Sequence, residues 1–350
     1  MKKVALLPLL LLLLAACSRA PQSETVELYV FGTLATITVW DAEPVARDTA
    51  MAEITQTFQQ MHHEWHAWKP GPLVDINLAI SRGDAAIGVL PSIASLITRS
   101  QQLYRQSDGL FNPAIGGLLS LWGFQGDGRP SGPPPDKQAI NRWVAAAPGM
   151  DDIILADGVL HSSNTAVTLD FGAFAKGVAV DHAIDILRAH GINNAIVNAG
   201  GDLRAIGSKG DTPWRVGIRH PQGNGVLAAL EVKGDESIFT SGNYERYRDY
   251  EGVHYAHILD PRTGMPVEGI TSVTVIHENG GIADAAATAL VVAGVKDWHR
   301  IAMQMGIHYA MLVDDAGTVY MNPAMQRRIE FTGETPASIV ISEPLISSNQ

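Results

Sequence analysis

The sequence contains one cysteine, Cys17. No disulfide can form within the chain, so its stability has to come from a buried core, and 350 residues are ample for one. Positive charge is also scarce: 25 Lys and Arg stand against 36 Asp and Glu, a formal net charge of −11. That balance argues against nucleic acid as a partner. The glycine signatures of several common enzyme folds are missing as well. There is no Gly-x-Gly-x-x-Gly after the first predicted strand, no Walker loop and no Gly-x-Ser-x-Gly. Rossmann-type dinucleotide binding, P-loop phosphate binding and a serine nucleophile elbow are thereby excluded.

Long apolar runs are limited to the N-terminus. Lys2 and Lys3 precede Val4 to Ala16, which is too short and wrongly flanked for a membrane span and reads as a signal peptide over residues 1–16. It ends in Leu14-Ala15-Ala16-Cys17, which is similar to a bacterial lipobox, whose cysteine becomes the lipidated N-terminus. The expectation is a lipoprotein of the bacterial cell envelope facing the periplasm, in the inner or outer membrane. Residues 17–25 form its tether, and 26–345 form one domain, with two subdomains around a ligand pocket as the expected internal arrangement.

Most of that domain can be read from periodicity. Val26 to Trp40 alternates as two strands with a kink at Gly32. Pro44 to Glu64 is a helix with proline at its first position, and Pro91 to Gln106 is another. Lys137 to Ala147 reads as a short helix, and Ile153 to Thr168 as a hairpin turning at Ala156-Asp157-Gly158. Strands are expected at Trp214–Ile218, Val226–Val232 and Val273–His277, and a helix at Ile282–Ala293. Strands and helices do not alternate regularly, so the fold class is α+β, with mixed and antiparallel sheets and packed helices.

Several groups of residues carry chemistry. The central stretch runs from Leu169 to Leu203: an apolar entry ending at Asp170, a small-residue turn at Gly172-Ala173, a helix holding Lys176, and a β-branched run ending in Gly200-Gly201-Asp202. Small residues let a backbone approach a bulky ligand, and exposed N–H groups there suit a diphosphate. His62 and His66 are four apart near the end of the first helix, a spacing that can bind metal. His63-Glu64-Trp65-His66 is nevertheless one residue short of His-Glu-x-x-His, and the interleaved Trp65 and Trp68 also read as the aromatic wall of a pocket. Asp284 and Thr288 lie four apart on one helix face. They offer hard oxygen ligands of the kind Mg²⁺ takes, although a first-turn aspartate also suits a helix dipole.

Taken together, Asp170-x-Gly-x-x-Ala-Lys-Gly177 and Asn198-Ala-Gly-Gly-Asp202 resemble the ApbE family, the FAD:protein FMN transferases. The likeness extends from Phe31-Gly32-Thr33, where the family has Met-Gly-Thr, to Asp284–Thr288. It includes Gly109-Leu110-Phe111-Asn112-Pro113, where the family has Asp in place of Asn112. It also takes in Thr240-Ser241-Gly242-Asn243-Tyr244 and His257-Ile258-Leu259-Asp260-Pro261-Arg262-Thr263-Gly264. Asn77 matches the asparagine closing the family's first block. The resemblance implies an ApbE-like fold related to the T-fold.

It further implies FAD as substrate, held by Phe31, Trp68, Leu110, Phe111, Asn112, Asp170, Lys176 and Ile258. Mg²⁺ is implied at Ala173, Asp284 and Thr288, and His257 as catalytic base. The implied reaction transfers FMN to a Thr or Ser hydroxyl of an acceptor, releasing AMP. The implied partners are flavoprotein subunits of exported respiratory complexes or reductases. Hydrolysis of FAD to FMN and AMP at the same site, and flavin binding without catalysis by a lipoprotein, are the alternatives.

Overall fold

The structure is a computed structural model and describes residues 22–345 except Asp127 and Glu334. The expected leader, Cys17 and the first part of the expected tether lie outside the described residues. Among the described residues no helix is long and apolar enough to cross a membrane.

The architecture is α+β, as expected, around a nine-stranded sheet. Its strands are β1 (Ser23–Val30), β2 (Thr33–Trp40), β3 (Ala195–Ala199), β4 (Asp202–Ile206), β5 (Asp235–Gly242), β6 (Ile270–His277), β7 (Tyr309–Asp314), β8 (Val319–Met321) and β9 (Ile339–Ile341). They lie side by side in chain order. Every neighbouring pair is antiparallel except β8 and β9, which are parallel. This order has a direct consequence: the connections β1–β2, β3–β4 and β5–β6 all fall at one end of the sheet. The Phe31–Gly32 turn, the Gly200–Gly201 turn and the segment 243–269 are thus neighbours, although some 200 residues separate the first from the last. At Gly200, with φ of 73°, an added Cβ would lie 2.3 Å from Thr33 Oγ1, so the first two turns are in direct contact.

The five longest described helices are α1 (Pro44–Trp65), α2 (Pro72–Arg82), α3 (Pro91–Gln106), α4 (Ala175–Ala189) and α5 (Gly280–Gln304). Helices α1, α4 and α5 cover one face of the sheet, and α2 and α3 pack against these helices. A small three-stranded sheet, formed by Arg215–Arg219, Val226–Glu231 and Ile329–Phe331, covers the other. Strand β7 displays the logic: Ala310 and Leu312 join the helix-side core, while Met311 and Val313 join the core under the small sheet. Such period-2 alternation with both sides apolar belongs to a strand buried on both faces.

The two extended readings at the start hold, and β1 begins earlier than its alternation suggests, at Ser23, because pairing with β2 continues to Trp40. Helix α2 was not assigned from the sequence. It has proline in its first turn, Asp75 near its N-terminus, Arg82 near its C-terminus and Gly83 at φ 74° as its cap. The hairpin expected to reach Thr168 stops at Ser162, after which the chain joins Ile115 by an isolated bridge at Thr168. The helix expected over Ile282–Ala293 starts at Gly280 and continues to Gln304 beyond a break at Gly294, whose φ of 66° and ψ of −177° separate two helical stretches.

Helices α4 and α5 meet closely. An added Cβ on Gly177 would fall 2.2 Å from the Gly280 carbonyl oxygen. Each helix also supplies the other's N-terminal cap. Asp181 of α4 accepts from the Gly280 and Gly281 N–H groups (2.9 and 3.2 Å), and Asp284 of α5 accepts from the Gly177 N–H (3.0 Å). Asn279 adds a side-chain cap at Ile282 N, whereas α4 has none from Phe174. First-turn N–H groups need acceptors, and a carboxylate is favoured there by the helix dipole. Asp181 is anchored in turn by Arg204 on β4 at 2.6 Å, and Arg204 also pairs with Asp235 on β5. This ties the helix pair to the sheet.

Gly177→Ala is therefore expected to force α4 and α5 apart and to destabilise the protein by about 1–3 kcal/mol, the usual result of overpacking. Urea denaturation of the variant against wild type measures the difference.

Candidate active site

The sheet end that gathers the three connections is also where α4 begins. Lys176, in its first turn, makes an ion pair with Asp202, the first residue of β4. The second Asp202 oxygen accepts the Thr240 N–H from β5 at 2.9 Å. Asp202 is buried, as is Asp284, and Lys176 is half-buried. Burial alone would lower the lysine, but Asp202, Asp284 and Glu245 hold it well above its ordinary range and fully charged. For Asp284, burial pushes its carboxyl up to about 7, against the pull of Lys176 and the Gly177 N–H, and Asp202 and Glu245 add to the rise. The buried Asp202 and Asp284 thus share one lysine, while the charge of Glu245 is balanced by Arg246 and Arg219 as well as by Lys176. Thr288 lies one turn along α5 from Asp284, with its Oγ1 3.2 Å from Ser241 Oγ on β5.

Asp170 and Ala173 flank the start of α4. The buried Asp170 accepts from Gly172 N and Gln125 Nε2, both at 2.9 Å. Leu110, Phe111 and Asn112 run beside it, since the Asp170 N–H donates to the Pro113 carbonyl. Leu110 and Phe111 are buried in the main core, and so is Ile258. The Asn112 amide is engaged locally: it donates to Pro148 O and accepts from Ala114 N, both at 3.0 Å, which builds the turn. Asn77 likewise clamps Leu169 through two hydrogen bonds, to its carbonyl and from its N–H.

His257 lies in the β5–β6 connection and is half-buried. Its backbone N–H donates to the Arg246 carbonyl, and its Nδ1 is 3.0 Å from the same oxygen. A carbonyl can only accept, so Nδ1 carries the proton and Nε2 keeps its lone pair. Burial, helped by the Arg246 and Lys176 charges, pushes the imidazole down to about 4 and keeps it neutral near pH 7.

An aromatic wall borders the Phe31–Gly32 turn. Phe31 has φ of 55° and Gly32 φ of 73°, as a two-residue hairpin turn of the primed type requires. A phenylalanine in this conformation is strained. Its N–H donates to His62 Nδ1 at 3.3 Å, and its ring lies 5.5 Å from Phe58, 5.9 Å from His62 and 6.4 Å from Trp65. The His66 ring is 5.2 Å from His62 and 4.5 Å from Trp68, so Phe31 and Trp68 belong to one cluster. His66 Nδ1 accepts from the Trp68 and Lys69 N–H groups. Among the described residues no three His, Cys, Asp or Glu side chains converge as a metal-binding group; His62 and His66 hold backbone amides instead. The indole N–H groups of Trp65 and Trp68 are buried and have no acceptor among the described residues.

Asp202, the carboxylate closing the Gly200-Gly201-Asp202 motif, is where the sequence places it, beside Lys176. Asp181, Glu245, Ser241 and Arg246 complete this arrangement and were not singled out from the sequence, the Thr240-Ser241-Gly242 motif being the available signal for Ser241. Surface cavities of about 280 Å³ beside Trp40 and His190, and about 470 Å³ between Pro72 and Leu90, contain none of the expected site residues.

Residues 31–312 match the model of the ApbE family. An FAD:protein FMN transferase of Rhodobacter capsulatus is 44% identical over 321 residues, covering 91% of this chain and 60% of that protein. The chain thus spans about three fifths of that relative's length. One of Treponema pallidum is 34% identical over 285 residues, covering 76% of this chain and 78% of the relative. In structure, an ApbE protein from Thermotoga maritima superimposes with a TM-score of 0.79 at 30% identity, covering 89% of this chain and all of the other.

The depressed His257 predicts a pH dependence of stability. Between pH 6.5 and 4 the unfolded chain binds a proton at this position that the folded protein refuses. The stabilisation is therefore complete above 6.5 and is lost as pH falls through 4, a difference of about 1–3 kcal/mol. His257→Gln should lack this part of the acid destabilisation, as urea denaturation at pH 4.5 and 7.5 (~3 units apart) would reveal.

Proposed function

The chain belongs to the ApbE family, and on that footing we propose that it transfers FMN from FAD to a threonine or serine hydroxyl of an acceptor protein, with AMP as the leaving product. The observation that carries this reading is the grouping at one sheet end of a neutral imidazole, a carboxylate–lysine cluster and an aromatic wall, with the imidazole Nε2 and two indole donors unpartnered among the described residues.

A hydroxyl is a weak nucleophile and the diphosphate is anionic, so the reaction needs a base, positioning and compensation of charge. His257 Nε2 takes the hydroxyl proton as the oxygen attacks the FMN-side phosphorus. The Arg246 carbonyl keeps the ring in the required tautomer. Phe31 and Trp68 border the flavin ring, whose polar edge supplies acceptors of the kind the Trp65 and Trp68 N–H groups lack. Lys176, fixed by Asp202, faces the phosphates, and the small residues Gly172 and Ala173 let the backbone approach them.

The donors also fit a divalent cation. The buried Asp202 and Asp284 have one ammonium, Lys176, between them, and among the described residues Asp284 accepts a single hydrogen bond, from Gly177. With Thr288 it offers the hard oxygens that Mg²⁺ prefers. Asp284, Thr288 and the Ala173 carbonyl would hold the ion, which supplies neutralisation of the diphosphate charge when bound. The acceptor class we propose is the exported flavoprotein subunits of respiratory complexes and reductases. We also propose that lipidated Cys17 anchors the protein to the envelope membrane, facing the periplasm.

Chromatographic measurement of AMP tests the reaction. AMP should form from FAD in step with the amount of acceptor supplied; AMP formation independent of acceptor would replace transfer by FAD hydrolysis. Asp284→Ala should slow transfer by about 10²–10³, the effect of losing one strong electrostatic contact, and EDTA should act similarly on wild type. Thr288→Ala should be affected less and respond to added Mg²⁺. Wild-type rates in folded Asp284→Ala would remove the metal assignment. Cys17→Ala should move the protein from the membrane to the soluble periplasmic fraction, and continued pelleting after a salt wash would contradict the anchor.

A further inference from the structure

One cation at the site acts on the neighbouring Glu245 only through its charge, with no hydrogen bond to it. Lys176 is committed to Asp202, Arg219 lies over the Tyr244 ring at 5.4 Å, and Arg248 is buried against backbone carbonyls, including that of Trp122. Arg246 differs. Its side chain is exposed, and among the described residues its guanidinium makes no hydrogen bond or ion pair.

Its place is nevertheless well defined. The Arg246 carbonyl holds His257 through both the backbone N–H and Nδ1. Its Nη2 reaches the Phe31–Gly32 turn, where a Cβ on Gly32 would approach it to 3.1 Å. Arg246 therefore touches the base through its backbone carbonyl and the Phe31–Gly32 turn through its guanidinium, and glycine at position 32 leaves the room for the latter. An incoming diphosphate would meet Asp202, Asp284 and Glu245, with Lys176 already neutralising one of them. A guanidinium presents a planar fork of donors matched to phosphate oxygens, and one whose donors make no hydrogen bond loses little by turning to a ligand.

We propose that Arg246 is a substrate-binding residue whose guanidinium grips the FAD diphosphate between the aromatic wall and His257. This rests on the reading of FAD as substrate. Arg246 thereby links the position of the flavin to that of the base, so that the phosphorus is presented where Nε2 can serve the attacking hydroxyl.

Flavin fluorescence titrations without acceptor test the assignment, using FAD and riboflavin as probes and the Arg246→Met and Arg246→Lys variants. Arg246→Met should weaken FAD binding by about 10- to 100-fold, as expected for a lost hydrogen bond to a charged group, and Arg246→Lys should recover part of it. Riboflavin, which has no phosphate, should bind both variants as it binds wild type. FAD affinity in Arg246→Met within about twofold of wild type would overturn the proposal; so would an equal loss for FAD and riboflavin, which marks a structural role. Where riboflavin is too weak to titrate, the salt dependence of FAD affinity decides: a shallower slope in Arg246→Met supports the assignment, and an unchanged slope overturns it. A wild-type protein that does not bind FAD would remove the underlying reading, and the proposal with it. Unchanged FAD affinity in Arg246→Met alone would leave that reading intact.

Discussion

The reciprocal capping of α4 and α5 is the contact on which the rest depends. Asp181 closes the start of α5 and Asp284 closes the start of α4, across a contact so tight that Gly177 has no room for a Cβ. Neither helix start has to find solvent, so both ends can be buried beside the sheet. Arg204 and Asp235 extend the arrangement into β4 and β5. Breaking one member of such a buried network leaves a charge uncompensated, at a cost of about 3–5 kcal/mol. The same aspartate that caps α4 also acts on the charge of Lys176 and lies one turn along α5 from Thr288, so structural and chemical demands fall on one side chain.

This double use explains the electrostatics. Asp284 is kept from full ionisation by burial and by Asp202 and Glu245, while His257 is kept neutral by burial and by Arg246 and Lys176. The two groups are displaced in opposite directions, which separates a charge-binding role from a proton-accepting one. The sheet makes this possible. Because its strands follow chain order, every second connection, β1–β2, β3–β4 and β5–β6, falls at one end, and residues from Phe31 to Thr288 meet without a crossover in the antiparallel part.

Much of this was legible in the sequence where the signal is local. Alternation in β1 and β2, Pro44 and Pro91 at helix starts, and the small-residue turns around Gly172 and Gly200 all correspond to observed elements. Helix α2 was missed because its 11 residues are introduced by Gly71 and lie inside a stretch read for its motif rather than its period. Helix α5 was read too short because Gly294 does interrupt helical geometry, yet the chain resumes a helix after it. Asn112 and Asn77 stand in motifs, but their amides spend their hydrogen bonds on backbone. Asp181, Glu245 and Arg246 were not legible, since their surroundings come from segments far away in the chain and no spacing announces them.

The central claim is that this sheet end joins an FMN group to a protein hydroxyl. It is tested most directly by peptide mass spectrometry of an acceptor incubated with the wild-type protein, FAD and Mg²⁺. The account predicts an FMN phosphoester on one threonine or serine, absent when His257→Gln replaces wild type. An acceptor that stays unmodified while free FMN accumulates would contradict it.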